Sequence, residues 1–540
     1  MTKTRIRIII PLACFVILSL VGIMLFYLQK PQILIVPDKY KSIKSAMDKA
    51  EPGDTVFIKA GVYREPNEIM FKNGVRMVGE DANKVSIQMQ DKTLLYVIRV
   101  KDCNNGLIQG VTVEFDAASE EKRKQYGILL DASSLVITDC CIRNMAGGLF
   151  VTNKSNLSLK NSVIESNLKY GIYIRTEETK AAIENNIFTK NGGDGLCFAS
   201  GGAGSVQKNL FDGNRQCGID VEEGAGAVTV RENACIANEN HGICFFKAEK
   251  GLVEDNYVVG NRHTGIYISD TPDTIVSNNR CILNGSYGIC FSKGATGTVK
   301  KNICQENRKF GIYAADIETD VDVSENNCRQ NVKYGITFYK CTRGTVEGNI
   351  CEGNKFAGIY MCETGKDVVV RSNWCRNNEK QGIYFSMVSD AIAEGNIASS
   401  NKGTGIIFDE KSSAVVVNNN CYDNDGSGIW VEGEGTVAKL IKNECMENYP
   451  AGILFSHGAT GIVENNLCQN NPWTGIAVRG LDTNPVLISN TCNRNGAWGI
   501  VTWAGADPNI TTDNITLGNG RGGIKLHNQV DFGLYSIPFP

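Results

Sequence analysis

The chain has 540 residues, of which 42% are hydrophobic and 21% are charged, and its formal net charge is −3. This balance is typical of a folded protein and excludes the strongly basic surface that marks nucleic-acid-binding proteins, so we expect no nucleic-acid partner. The 12 prolines stand against 57 glycines, which argues against a disordered chain and favours continuous hydrogen-bonded strands.

Residues 1–30 predict a short cytoplasmic segment followed by a transmembrane helix. Lys3, Arg5 and Arg7 precede an uncharged stretch over residues 8–28. As a helix, this stretch would span roughly 31 Å, about the thickness of the hydrocarbon core of a bilayer. The positive charges before it predict a single-pass protein of the cell membrane whose body lies on the extracytoplasmic side. A cleaved signal peptide is the alternative, although no A-x-A-like cleavage site follows the stretch.

The two ends of the remaining chain differ from its middle. Residues 31–98 are predicted to form an N-terminal cap and the first coils, and residues 530–540 a C-terminal tail. Within the cap, Ser42 is predicted to begin a short helix that buries Ile43 and Met47. Such a helix would close the N-terminal end of a stack of strands, where backbone groups would otherwise be exposed.

One sequence repeat runs through residues 99–529. A glycine followed by isoleucine or leucine returns every 23 or 24 residues after a first step of 21. These glycines are Gly127, Gly148, Gly171, Gly195, Gly218, Gly242, Gly265, Gly288, Gly311, Gly335, Gly358, Gly382, Gly405, Gly428, Gly452, Gly475, Gly499 and Gly523. A repeat of this length predicts a solenoid, and it is too short for helices of ordinary length.

Fifteen successive repeats also contain a first asparagine nine residues before the glycine and a second asparagine five residues after the first. The first asparagines are Asn186, Asn209, Asn233, Asn256, Asn279, Asn302, Asn326, Asn349, Asn373, Asn396, Asn419, Asn443, Asn466, Asn490 and Asn514. The segment from the first asparagine to the glycine has a fixed length, so variation is confined to the turn after the Gly-Ile strand. Asparagines stacked in register can satisfy each other's amides by hydrogen bonding.

These patterns predict an all-β fold, a single-stranded right-handed parallel β-helix with three sheets and coils of 23–24 residues. Alternating apolar residues after each glycine indicate a strand with one buried face. Ten of the 20 cysteines lie two residues after the first asparagine and are predicted to point into the core. The Cβ atoms of in-register neighbours on parallel strands are about 4.8 Å apart, beyond the 3.5–4.5 Å that a disulfide prefers. A straight column also cannot ligate a metal tetrahedrally, so we predict no metal site and no cofactor.

Both the N-terminal segment and the repeats resemble those of a known superfamily. The segment with Ser42-Ile43, Pro52-Gly53-Asp54 and Gly79-Glu80 resembles the start of pectin-methylesterase and pectate-lyase-like proteins. Residues 103–528 resemble the parallel β-helix repeats of carbohydrate-binding and sugar-hydrolysis domains. The resemblance implies a polysaccharide partner, which we expect to be acidic or part of a cell-surface glycan, bound along the Gly-Ile sheet. Because that superfamily includes lyases, epimerases, hydrolases, tailspikes and binding modules, it does not imply one activity.

The outer face of the Gly-Ile sheet is predicted to bind the substrate. Aromatic rings stack on the apolar faces of sugars, and flanking charges pair with hydroxyl or carboxylate groups. The predicted substrate-binding residues are Tyr173, Arg175, Lys247, Asp270, Tyr313, Tyr360, Tyr384 and Trp430. The alternative interpretation is that aromatic cross-strand pairs only stabilise the sheet.

Two clusters could supply acid–base chemistry. Asp220, His241, His263 and Tyr267 lie on successive coils and are predicted as catalytic residues of a lyase or an epimerase, which needs a base and an acid at the sugar ring. The rival cluster is Asp409, Glu410, Glu432 and His457, whose paired carboxylates could serve glycoside hydrolysis. A solvated surface is the alternative interpretation of the first cluster.

The resemblance does not extend to the catalytic motifs of the well-known members. The chain contains no Asp-Pro-His-Asp of mannuronan epimerases, and the polygalacturonase motifs are also missing. The sequence therefore predicts a membrane-anchored protein that binds or modifies a polysaccharide. The alternative is a non-catalytic surface scaffold or adhesin that binds a protein.

Overall fold

The computed structural model describes residues 30–527, apart from residues 92, 117–123, 342 and 366. The predicted membrane span over residues 8–28 and the tail over residues 530–540 lie outside the described residues. Within the described part of the chain, no helix combines the length and the apolar character that crossing a bilayer requires.

The described N-terminal segment contains a short α-helix, Ile43–Lys49. Ser42 is its N-cap, and its side chain accepts a hydrogen bond from the backbone N–H of Ser45. The backbone N–H groups of Ile43 and Lys44 donate to Glu65 at 2.7 and 3.2 Å, which satisfies two free donors of the first turn. The helix predicted from Ser42 is present and packs against the first strands. Its role in closing the end of the solenoid stays a prediction.

The remainder of the described chain is a three-sheet parallel β-solenoid of about 21 turns, and most coils contribute one strand to each sheet. The first sheet contains the strand that precedes the first asparagine of each repeat. Alternating apolar residues of these strands face the core. In Val228–Arg231, for example, Val228 and Val230 are buried while Arg231 is exposed. The strands of the first sheet are Ile33–Val36, Thr55–Ile58, Arg76–Gly79, Gly106–Gln109, Ser134–Thr138, Asn156–Lys160, Lys180–Glu184, Ala203–Gln207, Val228–Arg231, Gly251–Glu254, Thr274–Ser277, Thr296–Lys300, Asp320–Ser324, Arg343–Glu347, Asp367–Arg371, Ala391–Glu394, Ser413–Val417, Val437–Ile441, Thr460–Glu464, Val486–Ile488 and Asn509–Ile510.

The second sheet follows the first asparagine of each repeat, and most of its strands have three residues with only the middle one buried. Its strands are Gly61–Glu65, Val85–Met89, Thr112–Glu114, Cys141–Arg143, Val163–Glu165, Ile187–Thr189, Leu210–Asp212, Ala234–Ile236, Tyr257–Val259, Arg280–Ile282, Ile303–Gln305, Asn327–Arg329, Ile350–Glu352, Trp374–Arg376, Ile397–Ser399, Asn420–Tyr422, Glu444–Met446, Leu467–Gln469 and Thr491–Asn493. The buried middle residue is the predicted cysteine in ten coils, and each of these cysteines is fully buried. The cysteines thus fill the core as small apolar side chains.

The third sheet contains the Gly-Ile strands. Its inner face buries the isoleucines and a run of phenylalanines that includes Phe245, Phe291, Phe338 and Phe385. Its strands are Ile69–Phe71, Tyr96–Lys101, Tyr126–Asp131, Gly147–Thr152, Ile172–Arg175, Leu196–Ala199, Ile219–Val221, Ile243–Phe246, Ile266–Ser269, Ile289–Ser292, Ile312–Ala315, Ile336–Tyr339, Ile359–Cys362, Ile383–Ser386, Ile406–Asp409, Ile429–Glu432, Ala451–Ser456, Thr474–Arg479, Trp498–Trp503 and Gly522–Lys525.

Two asparagine ladders fix the register of successive coils. In the first ladder, Asn302 Nδ2 donates to Asn326 Oδ1 at 2.9 Å, and the same bond joins each member to the next. In the second ladder, Asn307 Nδ2 donates to Asn331 Oδ1 at 3.0 Å. The ladder side chains are buried, so a shift of one residue would leave a row of amides unsatisfied.

The repeated glycine is required because two coils approach closely at this position. A Cβ added to Gly311 would lie 2.6 Å from the carbonyl oxygen of Gly335 and 2.9 Å from Asn331 Nδ2. The same obstruction recurs from Gly127 to Gly499. The glycine therefore allows the Gly-Ile strand to begin directly against the asparagine ladder.

Candidate functional site

The outer face of the third sheet carries a ladder of aromatic rings. One ring comes from the outward residue two positions after the glycine, and a second comes from the residue directly before the glycine. Stacked pairs from these two positions are Tyr287 with Tyr313, at 4.8 Å between ring centroids, and Tyr334 with Tyr360, at 4.7 Å. Tyr384 continues the ladder at 4.9 Å from Tyr360. These rings are half-buried, so each keeps an edge or a face toward solvent.

The ladder has further aromatic segments on both sides. Near the N-terminal end, the ring of Phe150 stacks on Tyr173 at 5.7 Å, and Tyr170 lies 4.8 Å from Tyr173. Near the C-terminal end, a second apolar cluster outside the main core gathers Trp430, Trp473, Trp498 and Trp503 over small buried residues. The aromatic surface therefore follows the solenoid axis, as an elongated ligand would require.

The structure places the predicted substrate-binding residues in two settings. Tyr173, Tyr313, Tyr360, Tyr384 and Trp430 all belong to the outward column of the third sheet, where they are half-buried. The three predicted charged residues lie instead along the rim where the Gly-Ile strands end.

The rim residues are exposed. Arg175 ends the strand Ile172–Arg175, while Lys247 and Asp270 occupy the turns of later coils with φ of 51° and 49°. Lys247 pairs with Glu223 at 3.4 Å. Exposed side chains of this kind can reach a ligand on the aromatic face, although their binding role stays a prediction.

The structure brings together three of the four predicted catalytic residues. His241 stacks on Tyr267 with 4.8 Å between ring centroids, and His263 lies 6.0 Å from His241. His241 Nδ1 accepts a hydrogen bond from the backbone N–H of Thr264 at 3.2 Å. Burial and the neighbouring His263 lower the pKa of His241 to about 4. The neutral ring therefore carries its proton on Nε2, so this nitrogen can donate a hydrogen bond but cannot accept a proton.

Asp220, the fourth predicted residue, has different neighbours. Its carboxylate lies within 4.8 Å of the thiols of Cys217 and Cys244. Burial raises the pKa of Asp220 to about 6. On the preceding coil, burial and the charge of Asp220 raise the pKa of Asp194 to about 8. Sequence reasoning missed Asp194 and Cys217, although both occupy the position before the glycine that supplies tyrosines elsewhere.

The rival cluster begins at Tyr384 and Asp409. The hydroxyl of Tyr384 donates to Asp409 Oδ2 at 2.7 Å. The other oxygen, Oδ1, is buried and has no hydrogen-bond partner within the described structure. Burial is the main cause that raises the pKa of Asp409, and the charge of Glu410 adds to it. A carboxyl group in this setting holds its proton more firmly than an exposed aspartate.

Glu432 lies on the next coil in a more polar setting. Its Oε1 is 3.0 Å from His457 Nδ1, and burial raises its pKa while the charge of His457 opposes that rise. Ser456 joins the cluster, because Trp430 Nε1 donates to Ser456 Oγ at 2.9 Å and His457 Nδ1 is 3.1 Å from the same oxygen. The aromatic ladder and the second carboxylate are thus linked by hydrogen bonds.

Both carboxylates line one open cavity of about 590 Å³ on this face, together with Glu410, Lys411 and Glu434. Asp409 ends the strand Ile406–Asp409, and Glu432 ends the adjacent strand Ile429–Glu432. Equivalent positions on adjacent parallel strands are about 4.8 Å apart. Two carboxyl groups on adjacent strands, one bonded to a tyrosine hydroxyl and one paired with a histidine, can divide the acid and base roles between them.

Comparisons with known proteins bear on the fold. A family model described as "Right handed beta helix region" matches residues 83–235, 223–375, 318–462 and 393–535, which together run from 83 to 535. No curated protein matches the chain significantly in sequence.

Several solved structures are similar at low identity. The Dettilon tailspike protein is 15% identical, with 63% of this chain and 66% of that chain covered and a TM-score of 0.37. A mutant of the periplasmic alginate epimerase AlgG is 14% identical, with 73% and 85% covered and a TM-score of 0.34. The catalytic domain of a GH87 alpha-1,3-glucanase mutant in complex with nigerose is 13% identical, with 76% and 69% covered and a TM-score of 0.33.

Proposed function

We propose that the chain, which belongs to the right-handed β-helix family, binds an extended polysaccharide along the aromatic face of its third sheet and hydrolyses a glycosidic bond at Asp409 and Glu432. The observation that carries this proposal is the continuity of the ladder with the carboxylate pair. Tyr384 is both a ring of the ladder and the hydrogen-bond donor to Asp409. A sugar that stacks on this ring would present its linkage to the two carboxylates.

The electrostatic setting assigns the two roles. Burial raises the pKa of both carboxyl groups, but Asp409 has an unpartnered oxygen and no cationic partner within the described residues. We therefore assign Asp409 as the general acid that protonates the glycosidic oxygen as the bond to the leaving sugar breaks. Glu432 lies beside His457, which favours its ionised form, so it is the carboxylate that attacks the anomeric carbon. Water then releases the sugar from Glu432, and Asp409 takes the proton of that water.

The spacing of the two carboxylates also predicts the stereochemistry. Retaining glycosidases have carboxyl groups about 5–5.5 Å apart, whereas inverting enzymes need about 6.5–9.5 Å. The strands that carry Asp409 and Glu432 are in register and about 4.8 Å apart. If the two side chains leave these strands in parallel, the carboxyl groups keep about this separation, so we expect retention of the anomeric configuration in the product.

The charge of the cavity narrows the substrate class. Asp409, Glu410, Glu432 and Glu434 outnumber Lys411 among the lining side chains. An acidic cavity repels a polyuronate. In place of the acidic polymer expected from the sequence, we propose a neutral or amino-sugar polysaccharide as the substrate.

Product analysis on a panel of neutral, amino-sugar and uronate polysaccharides tests this function. We expect oligosaccharide products from the wild-type chain and at least a 1,000-fold loss, on the order of one catalytic carboxyl group, in Asp409→Asn and Glu432→Gln. Glu394→Gln is the matched control, because Glu394 is an exposed carboxylate on the first sheet.

Glycan-array binding separates recognition from catalysis. Both carboxylate variants should still bind, whereas Trp430→Ala should bind more weakly. If the wild-type chain bound no glycan and released no product, the proposal would be wrong and a scaffold that binds a protein would be favoured.

We also propose that this activity takes place outside the cytoplasm and that residues 8–28 hold the body at the membrane. The support is the hydrophobic, uncharged stretch that follows Lys3, Arg5 and Arg7. Cell fractionation with protease treatment of intact cells tests this proposal. Full-length chain in the soluble cytoplasmic fraction would contradict it.

A further inference from the structure

We propose that Cys217, Asp220 and Cys244 form a binding site for a thiophilic divalent cation, with zinc as the best-matched ion. Their sulfur and carboxylate oxygen atoms all lie within 4.8 Å of one another on the outer face of the third sheet. This site is independent of the carboxylate pair at Asp409 and Glu432, so its test does not depend on the proposed hydrolysis.

The repeat explains how these residues meet. Asp220 and Cys244 are in-register partners on adjacent strands of the third sheet. Cys217 lies directly before Gly218, at the position from which Tyr287 and Tyr334 lean over the same face in later coils. The three side chains therefore converge from two columns, which gives the ligands a triangular arrangement.

This arrangement differs from that of the core cysteines. Cys281, Cys304 and Cys328 follow one another in a single straight column inside the solenoid. A straight column cannot surround an ion, whereas three atoms in a triangle can occupy three corners of a tetrahedron. The sequence predicted no metal site because only the straight column of core cysteines is apparent from the repeat.

One carboxylate oxygen of the site has no hydrogen-bond partner among the described residues, which indicates that a ligand could bind there. Asp220 Oδ1 is buried, with no hydrogen-bond partner within the described structure. The thiols of Cys217 and Cys244 are also buried, because these residues are only 2% and 7% exposed. A buried carboxylate oxygen without a partner is destabilising, and a cation would supply the missing interaction.

The dimensions fit zinc after a small adjustment. Zinc–sulfur bonds of about 2.3 Å and zinc–oxygen bonds of about 2.0–2.2 Å place tetrahedral ligand atoms roughly 3.5–3.8 Å apart. The ligand atoms lie within 4.8 Å of one another, so each separation has to shorten by at most about 1.3 Å. Rotation of the Cys217 and Cys244 side chains can supply this change. Asp194 holds the backbone at the site, since its Oδ1 accepts the N–H of Cys217 at 2.7 Å.

Three protein ligands leave a fourth position for water or for an oxygen of a bound molecule. Binding requires both thiols to be deprotonated, and their two protons pass to the solvent. The affinity should therefore fall as the pH is lowered. A disulfide between Cys217 and Cys244 is the competing fate of the same two thiols.

Zinc content and cobalt spectra of the full chain test the site. The chain is reduced, stripped with a chelator, loaded with zinc and freed of excess metal before the metal is quantified. We expect about one equivalent of zinc in the wild type. Cys217→Ser, Cys244→Ser and Asp220→Asn should each lower the affinity by more than the roughly 10–100-fold that changes outside the ligand set cost. Cys290→Ser is the matched control, because Cys290 lies in the column of Cys244 and is equally buried.

Two further readouts keep the proposal testable if a variant fails to fold. Cobalt loaded into the wild-type chain should give thiolate-to-cobalt absorption, and zinc should protect Cys217 and Cys244 from alkylation as measured by mass spectrometry. The proposal would be overturned by a reduced wild-type chain that retains no zinc, or by zinc retention that is equal in the ligand variants and in Cys290→Ser. A Cys217–Cys244 disulfide that forms in air, with no metal binding after reduction, would also overturn it.

Discussion

Replacing one ladder asparagine should loosen the solenoid locally and by a large amount. The side chain of Asn326 has five hydrogen-bond contacts, although the two hydrogens of its NH2 group are shared among three acceptors. Its Nδ2 donates to the carbonyl oxygens of Val299 and Ser324 at 2.8 and 3.0 Å and to Asn349 Oδ1 at 3.0 Å. Its Oδ1 accepts from the backbone N–H and the Nδ2 of Asn302 at 2.8 and 2.9 Å. All five contacts are lost in Asn326→Ala.

The expected magnitude follows from these contacts. A neutral hydrogen bond contributes about 1 kcal/mol net. Because two amide hydrogens serve three acceptors, the five contacts count as about four bonds, or about 4 kcal/mol. The abandoned partners are themselves buried, so water does not easily replace the lost bonds. Because 1.4 kcal/mol corresponds to a factor of ten, local opening should become about 1,000-fold more frequent.

The neighbouring residue supplies a matched control. Asn327 is half-buried on the outer face of the second sheet, and its Oδ1 has no hydrogen-bond partner within the described residues. Asn327→Ala removes the same side chain one position away and should change the opening free energy by less than about 1 kcal/mol.

Hydrogen exchange monitored by mass spectrometry measures this difference, because it resolves local opening without requiring two-state unfolding. Peptides over residues 302–349 should lose protection in Asn326→Ala, while distant coils keep theirs, as nearest-neighbour stability in a solenoid predicts. Equal protection of these peptides in the two variants would refute the reasoning.

Two other predictions concern the glycine column and His241. Gly311→Ala should lower the melting temperature strongly or prevent folding, because its Cβ would lie 2.6 Å from the Gly335 carbonyl oxygen. Gly260→Asn is the control. It should be tolerated, because Gly260 has a φ of 66°, which asparagine can adopt, and within the described structure no atom beyond its chain neighbours lies close to its Cβ position. The folded pKa of His241, about 4, lies below the unfolded value of about 6.5, so its contribution is complete above pH 6.5 and is lost as the pH falls toward 4. This loss should amount to about 3 kcal/mol below pH 4 and to about 2 kcal/mol at pH 4.5. Denaturation of the wild type and of His241→Phe at pH 7 and pH 4.5 measures it, and an equal pH dependence in both would contradict it.

The fold was predictable because each physical constraint recurs in every coil. The fixed distance between the first asparagine and the glycine reflects the ladder and the close approach at Gly311. The inward cysteines followed from the two-residue period of a strand. The helix after Ser42 was predictable for a different reason, since its cap is a local signal.

The site was less predictable because its contacts join residues one coil apart. Nothing near Tyr384 in the sequence indicates that its hydroxyl donates to Asp409, 25 residues later. The exposure of the outward column of the third sheet was also only partly predictable. Small members such as Cys290 and Thr337 are only 2% exposed, although they point away from the core. Aromatic rings from the position before the glycine pack over this face. The alternation of apolar residues along a strand does not predict this packing.

The buried asparagine ladders and the turn after the Gly-Ile strand lie in different parts of each coil. This separation explains how a solenoid of fixed register can hold a polar site. Lys247, Asp270 and His457 all occupy the turn after a Gly-Ile strand and all have positive φ. This turn is also where the coil length varies, so its residues can change without disturbing the buried asparagines. Glu432 lies at the end of its strand, directly before such a turn, where it reaches His457 of the next coil. Polar side chains are therefore tolerated where the strand leaves the core, and the aromatic face lies directly beside that position.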